Sequence, residues 1–565
     1  MAEPSGDYYR RFFKLVTGFE PYEWQVEVAE RLFELEEKGG VLILRAGTGS
    51  GKTEASVLPG LFHGKQVIVV EPYRALIEDM VVRFKKYLAK LSGTLGVKYT
   101  LGVDYGGRHY IYECTGSNCT ERLTRKPFGA DVLVTTIDEM VYRVLSVGTP
   151  RKASLYTSLV RTSRPVVFFD EAHSYTSEAF NPLVTLVHLT ASLSMYTPVV
   201  IATATLPKSV EEHLELVVSR NGVSLIKVNA PVPEVKPPKA RVELDLRGFK
   251  TPDEQVEAIV KHVDKYVEKG FRKILVRVVT PDSAYSVYTR LLKLTSKGYN
   301  VGVLHGRMPI YDRERVYRAV RDDVSRDENV ILVSTSVIEA GVDLDFDAGV
   351  LELTPYRSLE QTMGRVNRRY TKKNSEVTVV NTPDSTWALL ENPKYLEEAR
   401  LLLAVMGSGV EWSKDLSPKL KEIDERYTRD KLSPLSLVDA YDSPYSRILA
   451  VSLYSLFHLE GTFLEHLLAL SEKEYETRGT LDVAAEVEGE SGNIVRVPYS
   501  IAKDCSIYAT RTVPKELLKD HSYTGKTGKV EVRGLVDTEQ LRKLCREKAN
   551  QQEKTKTTAD HHVNP

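Results

Sequence analysis

Residues 44–56, LRAGTGSGKTEAS, predict a phosphate-binding turn between a strand and a helix. The apolar run VLIL that ends at Leu44 has the composition of a buried parallel strand, and EASVLPGLF after the turn has that of a helix. In this arrangement unpaired backbone N–H groups and the positive end of the helix dipole point to one spot, which favours an anion there. The segment therefore predicts an α/β fold.

The spacing A-x-x-G-x-G-K-T within this turn is that of a nucleotide phosphate-binding loop, with alanine where the general pattern begins with glycine. We expect Lys52 to reach the β- and γ-phosphates and the Thr53 hydroxyl to hold Mg²⁺. The alternative, a glycine-rich turn without a ligand, is disfavoured by the preceding strand and the following lysine–threonine pair. The predicted nucleotide contacts are Ala46, Gly47, Thr48, Gly49, Ser50, Gly51, Lys52 and Thr53.

An acidic motif ends another apolar run, in PVVFFDEAH at residues 165–173. Asp170 is placed to bind the metal ion, and Glu171 to orient and deprotonate an attacking water. Two acids after a strand can also be an ordinary strand end. The phosphate-binding loop earlier in the same region favours the catalytic interpretation.

A third motif, QTMGRVNRR at residues 361–369, puts Arg365 and Arg368 three residues apart, on one face of a predicted helix. Two arginines placed across a cleft from the nucleotide could neutralise charge on the γ-phosphoryl group in the transition state. The alternative is a solvated basic face.

Apolar runs that alternate with helix-like segments indicate two successive parallel sheets. The first set comprises VLIL, QVIVVEP, DVLVTTI, PVVFFDEAH, PVVIATATLP and SLIKV, and the second KILVRVVTP, NVGVLHGRM, NVILVSTSVIEAG, AGVLELTP and EVTVVNTP. We predict a first lobe at 1–228, a proline-rich linker at 229–241, a second lobe at 242–385, a mixed, mainly helical accessory domain at 386–550, and a disordered tail at 551–565.

The composition of the chain limits which partners and which cellular compartment we expect for the protein. Lys and Arg total 77, as do Asp and Glu, so any contact with nucleic acid must come from local basic patches. The N-terminus carries acids and lacks an apolar core, so we expect no signal peptide. Polar residues interrupt the apolar stretch 183–207, which we expect to be a buried helix and strand.

Four cysteines in 565 residues fit a reduced, cytoplasmic compartment. Cys114 and Cys119 could supply two zinc ligands, but no second pair lies nearby to complete a tetrahedral site. The alternative is a surface loop that carries two free or bridged thiols.

In their order along residues 19–369, these motifs resemble those of superfamily 2 helicases of the DEAH type. The resemblance implies two tandem RecA-like lobes, ATP and Mg²⁺ as cofactors, and further site residues. It implies that Gln25 in GFEPYEWQ recognises adenine and that Gly341 and Asp343 contact the nucleotide. Nucleic acid would be contacted by Pro72, Arg74, Thr135, Thr136 and Thr335, and hydrolysis coupled to movement by His173, Thr203, Thr205 and Gln361.

Within the superfamily, FFDEAH, IATATLP, STSVIEAGVDLDFD and QTMGRVNRR resemble the helicase of type I CRISPR systems. The resemblance implies a motor that moves on single-stranded DNA, 3′ to 5′, with the crRNA-guided Cascade complex. Two features depart from the common pattern. The sequence has no His-Asp dipeptide and few residues before Gln25, so we predict no HD nuclease domain here and a separate nuclease subunit, as in subtype I-A. Thr362 stands where arginine is common.

The predicted function is therefore an ATP-dependent single-stranded DNA translocase of CRISPR interference. An RNA or DNA-repair helicase with the same motor is the alternative enzyme, and dependence on RNA would favour it. A nucleic-acid-binding scaffold with a decayed motor is disfavoured because Lys52, Asp170, Glu171, Arg365 and Arg368 are all present.

Overall fold

The computed structural model describes residues 6–47, 50–72, 74–105, 108–123, 127–137, 139–140, 164–172, 197–203, 206–220, 222–231, 240–308, 310–339, 344–368, 375–387, 393–431, 482–488, 490–498, 512–525 and 528–536, and singly 183, 187, 540, 541 and 543. The chain forms two compact units. The first comprises Met1–Val235 and Asp424–Thr477, and the second Lys236–Ile423 and Arg478–Pro565.

The described helices are α1 (Gly6–Thr17), α2 (Glu23–Lys38), α3 (Lys52–Phe62), α4 (Arg74–Leu95), α5 (Lys208–Arg220), α6 (Pro252–Glu268), α7 (Pro281–Leu291), α8 (Ile310–Ser325), α9 (Tyr356–Met363), α10 (Asp384–Trp387), α11 (Pro393–Met406) and α12 (Ser417–Lys431). Among them, none is long and apolar enough to cross a membrane. Helices α6 and α7 have the same kind of N-terminal cap: a threonine caps the first turn, and proline follows it. Proline costs nothing there because the first N–H groups of a helix have no partner within the helix.

The described residues of the first unit form a sheet of nine strands, named in chain order β1 (Gly40–Arg45), β2 (Val67–Glu71), β3 (Tyr99–Tyr105), β4 (Arg108–Thr115), β5 (Asn118–Leu123), β6 (Val132–Thr136), β7 (Val166–Phe169), β8 (Pro198–Thr203) and β9 (Ser224–Asn229). Their spatial order is β5-β4-β3-β6-β2-β7-β8-β1-β9. All pairs are parallel except the pairs that β4 makes with β3 and β5. The six strands predicted for this lobe are β1, β2, β6, β7, β8 and β9, and each is confirmed.

The antiparallel extension β3–β5 was not predicted, and it changes the interpretation of the cysteine pair. Cys114 and Cys119 are directly opposite one another on β4 and β5, and their sulfurs form a disulfide. The two residues therefore cross-link the two strands of a hairpin. Alternation in the sequence YIYEC before the turn at Gly116 is the signal that could have revealed these strands.

Within the described part of the second unit, seven strands form one sheet: β10 (Arg241–Asp245), β11 (Lys273–Arg277), β12 (Asn300–Leu304), β13 (Val330–Ser334), β14 (Ala348–Glu352), β15 (Glu376–Val380) and β16 (Val410–Glu411). Their order is β12-β13-β11-β14-β15-β10-β16, and only the pair of β16 with β10 is antiparallel. Strands β11 to β15 are the five predicted for the second lobe. They carry long apolar runs because helices cover both faces of a parallel sheet.

The C-terminal strands belong to the same compact unit as this second sheet. They are β17 (Asp482–Val487), β18 (Glu490–Pro498), β19 (Thr512–Val513), β20 (Leu518–Gly525) and β21 (Gly528–Val536). On β20, the buried Tyr523 hydroxyl donates to Asp323 Oδ2 on α8 over 2.6 Å. Its ring lies where a Cβ on Gly302 of β12 would be only 2.8 Å away, so this contact requires glycine. The hairpin β20–β21 is thus packed on the sheet.

Candidate functional site: a phosphate loop, an acidic strand end and paired arginines

The turn between β1 and α3 has the conformation that a phosphate-binding loop needs. Gly51 has φ of 86°, in the left-handed region, and α3 begins at the next residue, Lys52. This conformation favours glycine, and a Cβ at Gly51 would also lie 2.6 Å from the Gln25 side-chain nitrogen, which would have to shift. Ser50 Oγ donates to the Gly47 carbonyl over 2.7 Å. Thr48 and Gly49 lie outside the described residues.

Gln25 is attached to this loop. Its Nε2 donates to the Gly51 carbonyl over 3.1 Å, and its Oε1 accepts from the Tyr22 backbone over 2.9 Å. Only 3% of Gln25 is exposed. The structure therefore links the predicted adenine-recognition segment to the phosphate loop, and the contact of Gln25 with the base stays a prediction.

The acidic motif meets the loop because β7 and β1 lie in the same parallel sheet, so both end at the same edge. Thr53 Oγ1 donates to Asp170 Oδ2 over 3.0 Å. Lys52 Nζ donates to both carboxylate oxygens of Glu171, each 3.2 Å away. Lys52, Thr53 and Asp170 are all buried. Four residues predicted from two separate motifs are thus in direct contact.

Burial and backbone conformation distinguish the two acids. Desolvation, followed by the negative charge of Glu171, raises the pKa of Asp170 to about 7. Glu171 has φ of 46°, a left-handed conformation that costs a residue with a Cβ about 1–3 kcal/mol and is concentrated at functional sites. The Glu171 backbone N–H donates to Asp170 Oδ1 over 2.8 Å, which holds this conformation.

These groups fit Mg²⁺, which prefers hard oxygen ligands and keeps several bound waters. The Thr53 hydroxyl and the Asp170 carboxylate would hold the ion. It would supply positive charge next to the β- and γ-phosphate oxygens.

Glu71 is a buried acid at this site that the sequence analysis missed. It ends β2, the strand that pairs with β7. Neither of its carboxylate oxygens has a hydrogen-bond partner among the described residues. An acid at the end of the apolar run VIVVE, next to Pro72, was the available signal.

The residues predicted to contact nucleic acid in the first lobe lie at the ends of neighbouring strands. Pro72 follows β2, while Thr135 and Thr136 end β6, and β2 and β6 pair in parallel. Both threonines are buried, and Thr135 Oγ1 donates to the Asp104 carbonyl over 2.8 Å. The backbone of Arg74 begins α4, but its side chain lies outside the described residues.

Of the predicted coupling residues in this unit, only Thr203 is described. It ends β8 and its carbonyl accepts from the Ala46 backbone over 3.1 Å, which joins it to the first residue of the phosphate loop. His173 and Thr205 lie outside the described residues.

In the second unit, Arg365 is held by the segment after β13. Its Nε donates to the Ile338 carbonyl over 3.1 Å, and its Nη2 to the Glu339 carbonyl over 2.6 Å. The Glu339 carboxylate in turn accepts from Arg277 Nε and Nη2 over 3.0 and 2.7 Å, and from Ser358 Oγ over 2.7 Å. Arg277, which the sequence analysis did not single out, therefore anchors the segment that holds Arg365.

A left-handed residue separates the two arginines. Asn367 has φ of 51°, its N–H donates to the Phe346 carbonyl over 2.9 Å, and the Arg368 N–H donates to Asp345 Oδ1 over 2.8 Å. Asparagine tolerates this conformation better than most residues that have a Cβ. The predicted helix ends earlier than expected, at Met363, so Arg365 and Arg368 lie on this clamped loop and not on a helix face.

Two further predicted residues of this unit, Gln361 and Thr335, are described. Gln361 lies on α9, and the neighbouring Thr362 is buried, where its hydroxyl donates to the Ser358 carbonyl over 2.9 Å. Thr335, also buried, follows β13, and its N–H donates to the Leu304 carbonyl over 3.1 Å. Gly341, Asp343 and Arg369 lie outside the described residues.

One parallel α/β unit holds a phosphate-binding loop that meets a DEAH strand end, and a second parallel α/β unit carries an arginine motif. This combination defines the core of a DEAD/DEAH-box helicase. Residues 23–213 match the DEAD/DEAH box helicase family. Residues 271–371 match the family described as CRISPR-associated nuclease/helicase Cas3, C-terminal.

Curated relatives and a solved structure agree with these matches. The CRISPR-associated helicase Cas3 of Thermoproteus tenax is 26% identical over 363 residues, which cover 60% of this chain and 56% of that protein. The CRISPR-associated nuclease/helicase Cas3 of Methanothermobacter thermautotrophicus is 24% identical over 525 residues, 83% of this chain and 58% of the relative. The crystal structure of T. fusca Cas3 has the same fold, with a TM-score of 0.60 at 19% identity, over 93% of this chain and 70% of that one.

The chain is thus similar to Cas3 helicases in both of its α/β regions. It spans somewhat more than half the length of these two curated relatives.

Proposed function

We propose that this protein is an ATPase, stimulated by nucleic acid, that uses ATP and Mg²⁺ to move along single-stranded DNA in type I CRISPR interference. The observation that carries the proposal is the contact of Lys52 and Thr53 with Glu171 and Asp170 in one buried site. A phosphate loop without a catalytic role would not require two acids beside its lysine and threonine. The CRISPR-associated relatives support the biological setting.

The chemical step follows from the residues of this site. A phosphate group would compete with the Glu171 carboxylate for Lys52, because both are anions that accept from the same ammonium group. Release from Lys52 would leave the carboxylate of Glu171 available to orient a water molecule and accept its proton as the water attacks the γ-phosphorus. Arg365 and Arg368 are proposed to supply positive charge to the transferring phosphoryl group.

The sequence also suggests which partners and compartment to test. We propose that the chain acts in the cytoplasm with the Cascade complex, and that a separate HD subunit supplies the nuclease. The residues proposed to face the DNA backbone are Pro72, Arg74, Thr135, Thr136 and Thr335, since backbone contacts are indifferent to sequence, as a translocating motor needs.

The decisive experiment is a comparison of ATP hydrolysis by the purified protein alone, with single-stranded DNA and with single-stranded RNA. Lys52→Ala serves as the control and should lose turnover in all three conditions. Strong stimulation by DNA alone is the expected result. Equal or stronger stimulation by RNA would instead assign the protein to RNA remodelling, and full activity of Lys52→Ala would remove the ATPase assignment.

A further inference from the structure

Glu71 is an ionisable side chain that the proposed chemistry does not yet use. It is fully buried at the end of β2, and both carboxylate oxygens have no hydrogen-bond partner among the described residues. Leaving a buried polar group without a partner costs about 1–3 kcal/mol, and more for a charged group. Such a group in a folded protein calls for an explanation.

Strand register places Glu71 beside the acidic motif. Strands β2 and β7 are parallel with Val70 opposite Phe169, so the next residues, Glu71 and Asp170, are neighbours. The Asp170 N–H donates to the Val70 carbonyl over 3.1 Å, which fixes this register at the strand ends.

Glu71 also lies on the face of the sheet that carries the phosphate-loop helix. Val67 touches Gly60 of α3, where a Cβ would lie 2.8 Å from the valine methyl. Side chains alternate along a strand, so Glu71, four residues on, shares this face with Val67. Asp170 is on the same face, since it accepts from Thr53 of α3.

Two acids and two basic side chains act on the Glu71 carboxyl group. Burial, then the negative charges of Asp170 and Glu171, raise the pKa of its carboxyl group, while Arg83 and Lys52 oppose the shift. In the second unit, Glu352 offers a useful comparison. It is equally buried at the end of β14, but its Oε2 accepts from the Val279 N–H over 2.6 Å. Glu71 has the same position in its strand, but among the described residues it has no such donor.

We propose that Glu71 is a positioning residue of the Mg²⁺ site, where its carboxylate accepts hydrogen bonds from water molecules bound to the ion that Thr53 and Asp170 hold. The inference rests on the proposed function. Mg²⁺ commonly keeps several waters, and these waters are the donors that the two oxygens of Glu71 lack.

The test measures metal affinity directly, with Mn²⁺ as the probe. Electron paramagnetic resonance would titrate Mn²⁺ into the protein in the presence of saturating ADP, for the wild type, Glu71→Gln and Glu71→Met. Loss of an outer-sphere partner costs about 10- to 100-fold in metal affinity. We therefore expect Glu71→Met to bind Mn²⁺ at least about tenfold more weakly than the wild type. Glu71→Gln should lie between them, because it keeps one acceptor oxygen of the two.

Glu352→Gln is the matched control, since it removes a buried strand-end acid far from the phosphate loop in sequence, and it should leave Mn²⁺ affinity unchanged. Wild-type Mn²⁺ affinity in both Glu71 variants would overturn the inference while the ATPase assignment stands. If the wild type binds neither ADP nor Mn²⁺ with ADP, the proposed function itself fails. Weaker Mn²⁺ binding in Glu352→Gln as well would assign the effect of Glu71 to stability and overturn its positioning role.

Discussion

Lys52 and Glu171 form an ion pair within the candidate phosphate-binding site, with Lys52 Nζ at 3.2 Å from each carboxylate oxygen. The cation proposed to bind phosphate and the acid proposed to activate water thus neutralise one another. Because the two come from motifs 119 residues apart, the pairing depends on the adjacency of strand ends in one sheet.

This pairing predicts opposite effects of Glu171→Gln on binding and turnover. The variant should bind ATP at least as tightly as the wild type, since phosphate no longer competes with a carboxylate for Lys52. Hydrolysis should fall about 100-fold or more, because the proton acceptor is lost. Fluorescence titration with a labelled ATP analogue and a phosphate-release assay would measure the two effects. Wild-type turnover in this variant would contradict the assignment of Glu171 as the base.

The buried pair of Arg277 and Glu339 predicts a large loss of stability for Arg277→Met. This change leaves the Glu339 carboxylate buried without its arginine, and breaking a buried ion pair on one side costs about 3–5 kcal/mol. The double variant Arg277→Met with Glu339→Gln should recover part of the loss, since the uncompensated charge is gone. Calorimetric unfolding would compare the four proteins. Additive losses in the double variant would show that the two side chains do not act as a pair.

The left-handed backbone at Asn367 predicts that glycine is the substitution tolerated best there. Asn367→Gly should retain near-wild-type ATPase activity, whereas Asn367→Val should be destabilised by about 1–2 kcal/mol or more and lose activity, because the loop that carries Arg365 and Arg368 cannot keep its shape. Thermal melting and ATP hydrolysis would be measured on both variants. Equal behaviour of the two would refute the role of backbone conformation.

The contact between Tyr523 and Asp323 predicts that the C-terminal hairpin contributes to the stability of the second unit. Tyr523→Phe should lower the free energy of unfolding by about 1–2 kcal/mol, since it removes a hydrogen bond to a buried carboxylate. Gly302→Ala should also destabilise, because its methyl group would collide with the Tyr523 ring. Thermal unfolding of both variants tests this prediction. Wild-type melting of Gly302→Ala would show that the ring does not lie on Gly302.

Asp245 predicts a specific dependence of stability on pH. Its carboxylate accepts from Arg247 Nε over 2.7 Å and lies 2.8 Å from His262 Nε2; the hydrogen bonds of Arg247, ahead of those of His262, lower its pKa to about 2. Because the folded-state pKa lies below the unfolded value near 4, this stabilisation is present above about pH 4 and lost as the pH falls through 2.

Asp245→Asn should therefore cost about 1–2 kcal/mol at pH 7 and progressively less below pH 4. Thermal melting of the wild type and the variant from pH 7 to pH 3 would measure the difference. Asp253→Asn is the matched control, since the exposed Asp253 contacts Arg290 at the surface and should change stability little. A loss for Asp245→Asn that is constant with pH would exclude ionisation as its cause.

The sequence by itself determined the α/β class and the strands that carry the motifs, and it predicted the roles of Lys52, Thr53, Asp170 and Glu171. It could do so because buried parallel strands are apolar throughout and because the phosphate loop has fixed spacing. Strands β3 to β5 escaped prediction, since their sequences mix apolar, polar and charged residues over short lengths.

Only the tertiary structure decided which separate residues meet. Glu71 and Arg277 each end an apolar strand in an unremarkable local sequence, and their surroundings come from strands and helices that are distant in the chain. Cys114 and Cys119 became a disulfide through cross-strand pairing. Periodicity and loop spacing are properties of the local sequence. The role of a buried charged residue depends on its neighbours across the sheet, because its desolvation and hydrogen bonding depend on every group packed around it.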